Sequence, residues 1–352
     1  MDGLHGSPQG EQIQWHDLYV SLLLLGYHPT LVHHKRQLTA DYLEEFNVVI
    51  TDYCGVHYAV DQLALAKHRC KLRVLDSWGT DAIPNMNTQQ GNPFCCLKLP
   101  SLSQFWTFTP TGPCPANSYL GYAVTSFRLL QDYEAEPTRE LEIVLYGKEY
   151  KFLVKDLAYI KQLSQFAPTH ATAMGWPTGQ LQEVHNHGVL SPTALHELMQ
   201  KTFAYAGFAA VMMGPAAIEA LSQGMVFLNY AFVPPANFSI TQGKPTTQLW
   251  TSQFPFLESQ QPHALTVNPR DPADVTAKLH MVKQLYNKWW VMDDYVKVPT
   301  KAKFGPYVFL GMTKGHRSGF VPYEYTTVAM LLRVSSLMQQ NACQQEDVLL
   351  ET

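Results

Sequence analysis

Charge is scarce in this sequence. Asp, Glu, Lys and Arg together make up 15 % of the 352 residues, against roughly 25 % in an average soluble domain. The charges nearly balance, with 25 basic and 29 acidic residues for a net −4, and they form no basic block. That excludes a nucleic-acid binder relying on a cationic footprint. A surface so poor in charge suits partner contacts or neutral ligands such as sugars. Long apolar runs are missing too. No stretch approaches the roughly 20 unbroken apolar residues of a membrane span. The best candidate, Phe203 to Leu221, contains Gly207, Gly214, Pro215 and Glu219 and reads as buried globular structure. Residues 1–10 are polar and glycine-rich, unlike a signal peptide, and the abrupt start reads as a fragment or an incomplete gene. The six cysteines contain no CxxC pair, so no zinc site is expected. Their even number permits disulfides, but the spacing defines no framework, and free buried thiols fit as well. GxGxxG, GxSxG, HExxH and DxD-like metal motifs are absent, which removes support for a dehydrogenase, an α/β-hydrolase or a zincin.

What is present is apolar material in short pieces. Hydrophobic residues make up 46 % and aromatics 12 %, enough for sizeable cores and incompatible with a disordered chain. At roughly 150 residues per domain the length favours two domains. Gln14 to Leu25 reads as a helix ended by Gly26. Thr30–Val32, Asn47–Thr51 and Lys71–Asp76 read as buried strands, and residues 80–115 as a long loop region of the kind that usually carries function. A second α/β rhythm follows: strands at Glu142–Tyr146, Thr169–Met174 and Met225–Asn229, and a helix from Pro192 to about Thr202, capped by Ser191. Further helices are expected at Pro215–Gln223, from Pro272 to about Tyr286, and at Pro322–Met338. Residues 287–317 are aromatic, basic and irregular, like an insertion. The expected class is α/β: two Rossmann-like domains facing across a cleft, with ligands at the carboxyl ends of strands. The expected boundaries are 1–140 for an incomplete N-terminal domain, 141–320 for the C-terminal domain and 321–340 for a terminal helix.

Several segments have the residue types that sugar-nucleotide chemistry needs. In GPAAIEAL, Pro215 at a first helical position fixes a helix start whose free N–H groups and positive dipole end can hold a diphosphate. Glu219, one turn on, can accept hydrogen bonds from ribose hydroxyls. An ordinary buried helix with a solvated glutamate explains the segment equally well. Gly243-Lys244-Pro245-Thr246 fails as a phosphate-binding P-loop, since the first glycine is missing and Pro245 replaces Ser/Thr. Lys244 is then a point charge on a phosphate or a plain surface lysine. Glu11 precedes the first helix, placed either to serve as a general base or simply to favour the helix dipole. His185-Asn186-His187 reads as a loop with a structural or ligand-contacting histidine rather than a metal pair. Lys148, after the expected strand end at Tyr146-Gly147, is within reach of a phosphate.

In collinear order, GEQIQWHDLYVSLLLLG, CKLRVLDSWGTDA, ANSYLGYAV, LYGK, THATAMG, NHGVLS, GPAAIEALSQGMVFLN, FVPP, GKPTTQLWTSQFPF and PYEYT resemble the catalytic region of glycosyltransferase family 18, the 6-β-N-acetylglucosaminyltransferases of N-glycan branching. The resemblance covers roughly residues 6–280 and 320–336. It implies a GT-B fold and an inverting, metal-independent transfer of N-acetylglucosamine. The donor would be UDP-GlcNAc, and the acceptor the 6-hydroxyl of the α1,6-arm mannose on a glycoprotein N-glycan. It also implies a Golgi location, through a membrane anchor not expected within these residues, and no cofactor or metal. By position, Glu11 matches the catalytic base and Asp76 an acceptor-binding position. Phe94 stands for an acceptor-side tryptophan, and Glu219 matches the ribose-binding glutamate. Gly214, Pro215, Lys244 and His187 match the donor side by analogy.

The sequence departs from the family at several points. The family's Pro-Tyr-Glu before Gly-Pro is Val211-Met212-Met213 here, which removes a donor-contacting carboxylate. A sugar hydroxyl left unpaired there would cost roughly 1–3 kcal/mol. Phe254 replaces a histidine and residues 287–317 are inserted, while the family's first strand and stem are expected to lie before Met1 or to be lost, and its cysteine-rich tail is not matched. The alternatives are therefore an impaired or truncated homologue that binds UDP or glycan, or a transferase using another donor sugar.

Overall fold

The computed structural model describes residues 10–32, 39, 42, 45–52, 71–76, 105–107, 118–123, 139–145, 147, 149–177, 179, 181–208, 215–233, 250–251, 264–289, 307–310, 319–322 and 326–339. The chain divides into two compact units. The larger comprises residues 1–13, 124–236 and 244–326, and the smaller residues 14–123, 237–243 and 327–352. Both contain a parallel sheet, so the chain is α/β.

In the smaller unit, β1 (Val49–Thr51), β2 (Leu72–Asp76), β3 (Phe105–Thr107) and β4 (Ser118–Tyr119) lie in that order, all parallel. Helix α1 (Gly10–Leu24) ends where expected: Gly26 takes φ +83°, and its N–H and that of Tyr27 return to Leu23 and Leu22. Leu18 and Leu22 of α1 pack with Leu75, Trp106 and Leu120. Met330, Val334 and Leu337 of the last helix, Thr327–Gln339, complete this core. Polar contacts pin the pieces. Asp17 Oδ2 accepts from Ala123 N–H at 3.1 Å, and buried Arg73 donates to the Leu337 carbonyl at 3.3 Å.

The larger unit carries a longer sheet. Its parallel strands are β5 (Glu140–Leu145), β6 (Thr169–Ala171), β7 (Val184–Asn186), β8 (Thr202–Ala206), β9 (Val226–Phe232) and β11 (Ala264–Val267). In space they run β7-β6-β5-β8-β9-β11. Numbered by appearance, that is 3-2-1-4-5-6, the doubly wound dinucleotide-fold order. Short β10 (Trp250–Thr251) adds antiparallel to the end of β9, and β12 (Tyr307–Leu310) forms a separate hairpin with β13 (Gly319–Pro322).

The connections are helical. A turn at Tyr150–Leu153 (α2) leads through a 3₁₀ turn at Val154–Asp156 to α3 (Leu157–Phe166). Next come α4 (Pro192–Lys201), α5 (Pro215–Ser222) and α6 (Pro272–Trp289), and the smaller unit's last helix is α7. Ser191 caps α4, accepting from Ala194 N–H at 3.2 Å with Pro192 at the first position. One sheet face presents Ile143, Leu145, Ala206, Val226 and Leu228 to Tyr159, Ile160 and Leu163 of α3 and to Val275, Leu279 and Val282 of α6. Arg139, 1 % exposed, is a clamp beneath the sheet: its guanidinium donates to the carbonyls of Thr202 and Gln223.

Several expectations need correction. Residues 80–115, expected as a loop region, include β3 (Phe105–Thr107). Thr30–Val32 forms no strand: Pro29 removes a ladder donor just before it, and Leu31 is exposed. The last helix starts at Thr327, because Pro322 closes the β12–β13 hairpin opposite Tyr307. His185-Asn186-His187 is no loop: His185 and Asn186 belong to β7, which pairs with β6. The insertion 287–317 begins inside α6, which runs to Trp289, and includes β12.

Candidate active site

The strand order puts a topological switch point between β5 and β8, where the chain leaves neighbouring carboxyl ends toward opposite sides. Ligands of doubly wound sheets bind in that crevice. From β5 the chain passes into Gly147, whose backbone runs tight against Leu153: an added Cβ would meet that side chain at 2.5 Å. Lys148, next in sequence, lies outside the described residues. From β8 it passes through residues 207–214 into α5, which begins at Pro215 as the sequence indicated. Gly214 and the departure at Met213 lie outside the described residues, as do Lys244 and Phe94.

Glu219 sits in the second turn of α5, flanked by buried Ile218 and Ala220. Its carboxyl has no hydrogen-bond or ion-pair partner among the described residues. Burial pushes that carboxyl up to about 7. A half-buried acceptor with no donor among the described residues suits hydroxyl groups.

His187 follows β7, and its backbone N–H reaches the Ala171 carbonyl at 2.9 Å. Asn186 ties the β6 and β7 ends together: its Oδ1 accepts from Ala173 N–H and Gly188 N–H, and its Nδ2 donates to the Ala173 carbonyl. The turn uses Gly188 at φ +69°. Sequence reasoning missed the partners of His187. His170 Nδ1 lies 3.0 Å from His187 Nε2, and His170 Nε2 lies 3.1 Å from Glu142 Oε2. The His185 ring sits edge-on to His187 at 4.3 Å. In register, Val144, His170 and His185 are cross-strand neighbours, so Glu142, two residues before Val144, shares their face. Burial, then His185, then His170, hold His187 below the ordinary imidazole range. No group of three or more His, Cys, Asp or Glu among the described residues is arranged to hold a metal ion.

Glu11 is in the first turn of α1, and Asp76 is the last residue of β2, a carboxyl strand end in the smaller unit. An open cavity of about 530 Å³ lies at the carboxyl ends of β9 and β11, lined by Ala231, Thr251, Thr266, Asn268, Asp271 and Asp274 among others.

Among relatives, the chain is 29 % identical over 373 residues to human alpha-1,6-mannosylglycoprotein 6-beta-N-acetylglucosaminyltransferase A, covering 95 % of this chain and 45 % of that protein. The Caenorhabditis elegans alpha-1,6-mannosylglycoprotein 6-beta-N-acetylglucosaminyltransferase is 26 % identical, covering 96 % and 51 %. The mouse B form is 27 % identical, covering 97 % and 43 %. The chain thus spans about half the length of the curated relatives it matches. Among solved structures, a Thermosynechococcus elongatus sucrose-phosphate synthase covers 97 % of this chain and 93 % of its own, at 12 % identity and a TM-score of 0.43. The spinosyn forosaminyltransferase SpnP covers 80 % and 89 %, at 12 % and 0.42. The family model described as Glycosyltransferase family 18 matches residues 2–297, and the chain belongs to that family.

Proposed function

We propose that this protein transfers N-acetylglucosamine from UDP-GlcNAc to the 6-hydroxyl of the α1,6-arm mannose of glycoprotein N-glycans, with inversion and without a metal, in the Golgi lumen. The observation that carries the reading is the switch point between β5 and β8. The helix that follows β8, α5, bears the half-buried carboxyl of Glu219, which has no partner among the described residues, and this supports the reading.

UDP would sit at the carboxyl ends of β5 and β8, with its ribose hydroxyls donating to Glu219. The diphosphate would lie against the N-terminal end of α5, where free N–H groups and the helix dipole favour negative charge, with Lys148, Lys244 and His187 on the same side. Glu11 takes the proton of the mannose 6-hydroxyl. The oxygen bonds to C1 of the sugar from the face opposite UDP, the C1–phosphate oxygen bond breaks, and UDP leaves with the electron pair. Cationic and dipolar groups at the diphosphate stabilise that charge as it develops. Asp76 and Phe94 bind the acceptor, Phe94 by stacking.

Glu11→Gln tests this reading. It is expected to lower transfer by at least about 100-fold, the lower bound for losing a general base, while UDP binding stays unchanged. Full transfer in the variant would remove Glu11 as the base. Val211-Met212-Met213 favours a second reading, a UDP-binding homologue with little turnover. In that case UDP binds and no sugar is transferred.

A further inference from the structure

The chain of contacts from Glu142 through His170 to His187 has a consequence for protons. A carboxylate only accepts hydrogen bonds, so the 3.1 Å contact fixes a proton on His170 Nε2. With His170 neutral, its Nδ1 is a bare acceptor and His187 Nε2 must donate across the 3.0 Å contact. His187 Nδ1 is then the nitrogen with the lone pair. It has no hydrogen-bond partner among the described residues.

One added proton reverses the sense of the chain. The proton enters at His187 Nδ1 while the proton on His187 Nε2 passes to His170 Nδ1. His170 is then an imidazolium donating to both Glu142 and His187. His187 remains neutral, but its Nδ1 now carries hydrogen. We propose that Glu142 and His170 are positioning residues that couple this proton to the hydrogen-bonding sense of His187, turning its Nδ1 from an acceptor into a donor toward a phosphate oxygen of a nucleoside diphosphate. The ligand half of the inference rests on the reading above that His187 faces the donor; the proton half does not.

The geometry restricts where the charge resides. The His170 and His187 rings are nearly parallel, 22° apart with centroids 5.2 Å apart, and meet edge to edge through the 3.0 Å contact, with the Glu142 carboxylate on the far nitrogen of His170. His187 instead has His185 edge-on at 4.3 Å, and burial and both neighbouring imidazoles disfavour its own charging. Glu142 on β5, His170 on β6, His185 on β7 and His187 just beyond it are the titratable groups of this cluster among the described residues. The Glu142 carboxylate lies 3.1 Å from His170 Nε2, and no carboxylate contacts His187 among the described residues.

Long-range ¹H–¹⁵N correlation spectra of the ¹⁵N-histidine-labelled full chain, recorded across pH and assigned with His187→Gln, read the tautomer directly. On acidification, neutral His187 is expected to pass from the Nε2–H form through the Nδ1–H form before it becomes imidazolium. His170→Phe keeps a planar ring but removes both nitrogens, and should abolish the Nδ1–H form. Glu142→Gln keeps the shape and should lower its population roughly tenfold, the effect of losing an adjacent opposite charge. If His170→Phe does not fold, Glu142→Gln decides alone. Direct conversion of Nε2–H His187 to imidazolium, or an Nδ1–H population unchanged by Glu142→Gln, would overturn the relay.

UDP titration calorimetry in buffers of different ionisation heat tests the ligand half. The wild-type protein should take up a proton on binding. Glu142→Gln should lose that uptake and bind UDP roughly fivefold more weakly, the worth of one ordinary hydrogen bond. A relay confirmed by the spectra, with UDP binding indifferent to Glu142→Gln, would keep the relay and remove His187 from the nucleotide site.

Discussion

In the middle of the larger unit's sheet, every residue of β8 and all but the last of β9 are buried. At the β6–β7 edge, His185 is exposed, and His170, His187 and Glu142 are only partly covered. The two regions are one continuous parallel sheet with the same pleat, yet they do different work. Strands covered on both faces accept little but apolar side chains. TFAYA and VFLNYAF accordingly appear in the sequence as short hydrophobic runs. At the edge, cover is incomplete and polar side chains can meet across three strands. Their meeting depends on register, which local spacing does not encode: 17 residues separate His170 from His187 and 28 separate it from Glu142.

The contrast predicts a graded set of responses. The largest belongs to the centre. Phe203 is fully buried, with its ring 5.2 Å from that of Tyr286. Phe203→Ala should cost about 3–5 kcal/mol in denaturant unfolding, and a cost near that of an exposed residue would break the comparison. Glu219 comes next. Its folded carboxyl is raised to about 7 from an ordinary 4.5, so the folded state holds the proton more tightly. The resulting stability is fully present below the unfolded value and is lost as pH rises through about 7. Wild-type stability should therefore fall by something of the order of 2 kcal/mol between mildly acidic and mildly basic pH. Glu219→Gln should be flat there, and parallel pH curves would remove the burial argument. At Gly147, a Cβ meets buried Leu153, and Gly147→Ala should cost about 1–2 kcal/mol by overpacking. The smallest effect belongs to the edge: His185→Ala should stay within about 0.5 kcal/mol, measured the same way.

Much of the fold was legible because its signals are local. Ser191-Pro192 marks the start of α4, Pro215 that of α5 and Pro272 that of α6. Gly26 and Gly224 take the left-handed conformations that end α1 and the α5 segment. β8 and β11 did not stand out, because strands of four or five residues carry too little pattern to separate from neighbouring buried helix. Near the candidate site, the helix start at Pro215 was legible from a single turn. Glu142 and His170 were not, because they join His187 only through the pairing of β5, β6 and β7. His185-Asn186-His187 looked like a loop for the same reason.

The most direct measurement is mass spectrometry of a transfer reaction. The purified protein is incubated with UDP-GlcNAc and an agalacto biantennary N-glycan in the presence of chelator. The account predicts a mass gain of one N-acetylhexosamine, β1,6-linked to the α1,6-arm mannose. No gain from protein shown to be folded and to bind UDP would contradict it.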